Sequence, residues 1–293
     1  MTLEVTINDS EKLIDKLFED NSAFSKRKLS PSDIAIISLF YTAISNAKAM
    51  KLLIDNNLTN VTDTLLRTFL EQSVYLEYIF QENSEKRAEL LYFYEKMNSH
   101  VKALNIVNKL SDKKLADNIK QTIDKQIKND PSERKSLNES TKYFKHRYNC
   151  LFPKNTSSKI RRHWYNAEPP FKNNSFNQLC KSLKVKDLYL GMYAPYSDNT
   201  HGVNGVSNFI IRDSKGDKHS FNLLIETYDK SYVITLLESE LNVMFMRLAS
   251  YYKIDGANSW ARTIYMKIGC NVLLKRNHKI QTILRKKGIH TKE

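Results

Sequence analysis

Seven glycines and six prolines in 293 residues leave this chain few places to turn. Tight turns draw on Gly for left-handed backbone and on Pro for its fixed φ, so a chain short of both is built from long helices with few connections. Hydrophobic residues make up 41% and charged residues 27%, the balance of a packed globular chain rather than a disordered one. The length allows one large or two modest domains, each able to bury a core. The expectation is a mainly α protein.

Apolar periodicity sets the order of elements. Residues 1–29 carry an amphipathic helix with Leu13, Ile14, Leu17 and Phe18 on one side. Ser30-Pro31-Ser32-Asp33 starts the next: Ser as N-cap, Pro at the first helical position, an acid at the third. Ile37, Phe40, Ile44 and Ala47 form its stripe, which ends near Ile54 before Asp55-Asn56-Asn57. A helix from about Thr62 to Phe80 is apolar around much of its circumference, as a central element would be. Another begins after Ser84 and carries Leu90, Tyr94, Met97, Val101 and Leu104.

From 112 to 148 the stripe narrows to Leu115, Ile119, Ile123 and Ile127 amid lysines and acids, which predicts an exposed helical arm. Residues 153–174 are loop-like and basic, and Ser175 with Gln178 forms a capping-box pattern for a short helix. Residues 207–226 read as a small β-hairpin insertion with Gly216 in its turn. A helix with Val233, Leu237, Leu241, Met244 and Leu248 completes a core domain over 30–252; a last helix and a basic tail occupy 253–293.

Several function classes fall away. The N-terminus has acids where a secretory signal has bases, and the uncharged run Ile34 to Ala47 is too short to span hydrocarbon. Cys150, Cys180 and Cys270 match neither zinc spacing nor a disulfide framework. The expectation is a cytoplasmic protein without a membrane segment, a metal or a cofactor. Gly-rich phosphate loops, zinc-protease motifs and nucleophile elbows are absent from the sequence. A net charge of +14 points to a polyanionic partner, whether RNA, DNA, an acidic protein or anionic lipid, although lysines scattered on solvated faces would give the same total.

Three constellations carry polar chemistry. Arg67 and Glu71 lie four apart on the central helix, a charged pair in an apolar segment that needs hydrogen bonds if it is buried. Tyr193, Tyr196, Ser197 and His201 form the second; a helical turn opened by Pro195 would put Ser197 and His201 on one face. Imidazole titrates near neutrality, so His201 is the candidate acid–base group, or a structural histidine before Gly202. In the third, Arg161, Arg162 and Trp164 interleave cations with an aromatic, which suits phosphate contact plus base stacking, or equally a Trp that anchors a loop. Lys275, Arg276 and Arg285 add cations in the tail.

Taken in order, the helix pair ending in Arg67-x3-Glu71, then Trp164, the capped helix and Tyr193-x2-Tyr196-Ser197-x3-His201-Gly202 resemble a bacterial family catalogued as domain of unknown function 5677. The resemblance spans roughly 34–252. It implies an architecture similar to the HEPN class, helical proteins that often dimerise and many of which cut RNA in toxin–antitoxin and phage-defence systems. It also implies that Arg67, Glu71, Ser197 and His201 cluster. One departure stands out: no Arg lies four to six residues before His201, so the cation of a HEPN-type nuclease site would have to come from Arg67.

The function expected on these grounds is an RNA-directed effector of a bacterial stress or defence system, a ribonuclease acting without a metal. A partner protein, antitoxin or defence component, and a homodimer go with it. The alternative is a non-catalytic nucleic-acid- or protein-binding module in which the four residues form a structural network.

Overall fold

Ser30 does what its place before Pro31 predicts. Its hydroxyl accepts the Asp33 backbone N–H, while the Asp33 carboxylate accepts the Ser30 N–H at 2.9 Å. This reciprocal cap offsets two of the orphan donors of a helix start. The structure, a computed structural model, describes residues 2–19, 24–25, 27–58, 62–168, 171–185, 209–212, 220–223 and 230–254. Tyr193, Tyr196, Ser197, His201, Lys275, Arg276 and Arg285 all lie outside these residues.

The chain is mainly helical. Among the described residues its helices are α1 (Thr2–Phe18), α2 (Pro31–Asp55), α3 (Asp63–Gln81), α4 (Ser84–Lys109), α5 (Lys113–Lys128), α6 (Leu137–Cys150), α7 (Phe176–Ser182) and α8 (Lys230–Tyr251). Two short 3-10 turns, Ile160–Arg162 and Trp164–Asn166, lie between α6 and α7. Segments β1 (Phe209–Arg212) and β2 (Ser220–Leu223) pair antiparallel, with Phe209 opposite Leu223; the residues joining them lie outside those described. Among the described residues no helix is long and apolar enough to cross a membrane.

One apolar core runs through the helices. Phe40, Ala43, Ile44 and Ala47 of α2 meet Leu66, Phe69 and Leu70 of α3, and Leu237, Leu241 and Leu248 of α8 join them. The helix α1 belongs to this core, but its buried stripe is Leu3, Ile7, Leu13 and Leu17, whereas Phe18 stays half exposed. At 100° per residue Phe18 sits a full step round from Leu17, at the edge of the stripe that the core covers.

The arm expected over 112–148 is corrected in its second half. Helix α5 behaves as expected, burying only Ala116 and Ile127. Helix α6 packs against α4 and sinks Phe144 and Tyr148 into the core, each 1% exposed. Aromatic residues at 143, 144 and 148 provide that face; the lysine-rich stretch around them hides it from a periodicity read on aliphatics alone.

Candidate functional site

Helix α3 is the spine of the site. Arg67, Glu71 and Tyr75 recur every fourth residue, which aligns them along one face. Arg67 Nε stands 3.4 Å from Glu71 Oε1, and the two side chains are 23% and 27% exposed. The pair is therefore not sealed in the core, as its apolar flanks suggested, but half open to water. A cation held this way keeps about a quarter of its surface in water, through which an anion can reach it.

One turn further on, Tyr75 closes the face with aromatic contacts. Its ring meets Trp164 edge-on at 5.3 Å, stacks on Tyr165 at 6.0 Å and meets Phe176 edge-on at 5.7 Å. Trp164 is 2% exposed and also packs on Tyr78 at 5.5 Å. This corrects the reading of Trp164 as a base-stacking residue: its indole has no face left for a base and anchors the loop instead. The basic segment thus divides by direction, with Arg162 exposed and Trp164 and Tyr165 turned inward. Arg161 lies between. Its Nη1 donates to Asn149 Oδ1 at 3.1 Å, and its carbonyl accepts the Tyr148 hydroxyl at 2.7 Å.

An asparagine ladder, which no motif in the sequence announced, fixes the path from Trp164 to α7. Asn166 is 1% exposed; its Nδ2 donates to Asn174 Oδ1 at 2.9 Å, and its Oδ1 accepts the Asn173 N–H at 3.0 Å. The Ser175 hydroxyl then caps α7 by accepting the Gln178 N–H at 3.2 Å. Phe176 lands on Tyr75, and Leu179 and Cys180 bury against the core. Burial pushes the Cys180 thiol up to about 12, and the Glu71 carboxylate adds to the shift. That thiol is protonated at neutral pH and is no nucleophile.

Helix α7 leads directly into the segment holding Tyr193, Tyr196, Ser197 and His201, which lies outside the described residues. Of the expected cluster, the described part is Arg67 and Glu71, together with Tyr75, Trp164 and α7 around them. Tyr75 escaped the sequence reading although its spacing from Glu71 repeats that of Glu71 from Arg67.

Beside this face a groove of about 680 Å³ lies between α2, α3 and α4. Helix α2 packs on both α3 and α4 more extensively than those two pack on each other, and the space they leave forms the groove. Glu71 and Gln72 line one wall, Tyr92, Glu95 and Lys96 the other. Gln72 Oε1 accepts from Asn46 Nδ2 at 3.1 Å, which ties α3 to α2 beneath it. Among the described residues no group of three or more His, Cys, Asp or Glu is placed to hold a metal ion.

No curated protein and no solved structure matches this chain. One family pattern does, over residues 33–218, from the first turn of α2 past the Arg67–Glu71 face and α7 to beyond β1; the chain belongs to that family, the family of unknown function DUF5677.

Proposed function

We propose that the protein is an RNA-directed effector of a bacterial stress or defence system, HEPN-like in architecture, with a hairpin insertion over 207–226 and the capacity to cut RNA. The observation that carries this reading is the partly exposed Arg67, held by Glu71 on the face of α3 whose Tyr75 meets Phe176 of α7. A net charge of +14 supplies the long-range attraction for a polyanion.

In this reading the RNA 2′-hydroxyl attacks the adjacent phosphorus, the bond to the 5′-oxygen breaks, and the products are a 2′,3′-cyclic phosphate and a 5′-hydroxyl. His201 moves the proton, taking it from the attacking hydroxyl or delivering it to the leaving oxygen. Arg67 faces the extra negative charge of the phosphorane, a group whose stabilisation by a positioned cation is worth most in the transition state. Glu71 orients Arg67, and Ser197 accompanies His201. Partner protein and homodimer belong to the same proposal.

The test is total RNA incubated with wild type, Arg67→Ala and His201→Ala. Cleavage by wild type that both variants lose upholds the nuclease. Equal degradation by all three, or none by any, removes it.

A further inference from the structure

Residues 140–167 hold seven Lys and Arg and no Asp or Glu, although the chain has 32 acids. The acids that bound this stretch are Glu139, one turn before Lys142, and Glu168, which is taken by Arg87 and Asn83. The ion pairs of the described residues draw on other cations, such as Arg27, Arg67, Arg87, Lys96 and Arg247. Among the described residues none of the seven has a carboxylate partner.

Folding puts this charge in a line. Helix α6 buries Phe144 and Tyr148, and the side turned away from them carries Lys142, Lys145 and Asn149, spaced three and four apart. Both lysines are exposed. Arg161 prolongs the line past the helix end. Its Nη1 donates to Asn149 Oδ1 at 3.1 Å and its guanidinium lies 5.9 Å from the Phe152 ring centroid, while the Tyr148 hydroxyl pins its carbonyl. The exposed Arg162 follows. The line ends at Trp164, which meets Tyr75 about two turns along α3 from Arg67.

What the line lacks is rings. Phe144, Tyr148, Phe152, Trp164 and Tyr165 are all buried, and the half-buried Tyr143 carries the Arg134 guanidinium 3.6 Å from its ring centroid. Proteins that hold single strands combine a cationic track with rings on which bases stack. A surface of cations alone holds phosphate, and phosphates are densest along a duplex, about one charge per 1.7 Å of axis in DNA. Double-stranded RNA is recognised in that manner, by its shape, backbone and 2′-hydroxyls.

We propose that the line from Lys142 to Arg162 is a docking ridge for the phosphate backbone of an RNA duplex, gripped without regard to sequence. It rests on the RNA-directed reading of the Arg67 face and adds the form of RNA that the protein holds: a stem, with the adjoining strand led towards Arg67.

Fluorescence anisotropy in rising NaCl, with an RNA duplex of about 16 bp and with one of its strands, tests the ridge. Wild type binds the duplex about tenfold tighter, the difference that salt slopes of about 0.9 and 0.7 per contact make over about five contacts near 0.1 M salt. Lys142→Gln with Lys145→Gln lowers the duplex slope by about two, one for each phosphate given up, and leaves the melting temperature unchanged. Lys113→Gln with Lys114→Gln removes the same charge at the start of α5; α6 begins beside the other end, where the Leu137 N–H donates to Asp124 Oδ1 at 2.8 Å. That pair of changes leaves the slope as in wild type. An equal loss of slope in both double variants, no loss in the first, or a single strand bound as tightly as the duplex overturns the ridge and leaves RNA binding standing. Absence of binding to either RNA brings down the RNA-directed reading, and the ridge with it.

Discussion

The hydroxyl of Tyr252, just past the end of α8, donates to Asp33 Oδ1 at 3.0 Å across 219 residues of chain. Asp33 is 2% exposed and also accepts from Arg27 Nη2 at 3.0 Å and from Ser30. Burial alone would push its carboxyl up, but the bonds from Arg27, Ser30 and Tyr252 outweigh that and hold it below the ordinary aspartate range. One carboxylate thus caps α2 and fastens α8 to it.

A folded-state value below the unfolded one means that the stabilisation is present above about pH 4 and is lost as acid titrates through the lower value. Wild type should therefore lose thermal stability below about pH 4, and Asp33→Asn should start lower at neutral pH and fall less steeply in acid. Tyr252→Phe removes one buried hydrogen bond and should cost about 1–2 kcal/mol. Urea midpoints from pH 3 to 7 (a span chosen around the roughly 3.9 of a free Asp) check both.

Arg87 forms the other long-range clamp. Its Nε and Nη2 reach Glu168 Oε2 at 3.0 and 2.5 Å, Nη1 donates to the Tyr78 carbonyl at 2.7 Å, and the guanidinium lies 4.1 Å from the Tyr78 ring centroid. Removing one partner of a buried pair strands the other, so Arg87→Ala should cost about 3 kcal/mol in a denaturation curve. Glu168 sits just after the Trp164 turn, so this loss should also expose the Trp164 indole, seen as a red-shifted emission.

Trp164 and Arg162 should separate cleanly. Trp164→Ala empties a site in the core and should cost about 3–5 kcal/mol, with RNA affinity at temperatures where the variant is folded unchanged. Arg162→Glu, at an exposed position, should leave the stability within about 0.5 kcal/mol of wild type and weaken RNA binding, with a shallower salt dependence.

Arg67 decides between catalyst and structural network. A half-exposed i,i+4 ion pair is worth about 0.3–0.5 kcal/mol, so Arg67→Ala should barely change stability while abolishing RNA cleavage. An Arg67→Ala variant that melts many degrees lower, with no RNA cleavage by wild type either, would favour the non-catalytic module.

Much of the local structure was legible. The Ser30 and Ser175 caps lie within three residues of their partners, and the stripes of α2, α3 and α8 follow a single period, so both are written in short windows. The Arg67–Glu71 pair was equally readable, since a helix fixes which residues four apart can meet. Its exposure was not: apolar flanks suggested a sealed pair, and only the packing of α2 and α4 beside α3 leaves that face half open.

By itself, then, the sequence determined that this chain is mainly helical, where most helices begin, and which stripe of α2, α3 and α8 seeks the core. The tertiary structure alone decided that Trp164 points inward while Arg162 points out, that α6 joins the core, that Tyr252 meets Asp33, and that α2, α3 and α4 leave a groove between them. Caps and periodicity act over a single helical turn, whereas burial and long-range pairing depend on which surfaces of distant helices meet, a property of the whole packed chain and of no short stretch within it.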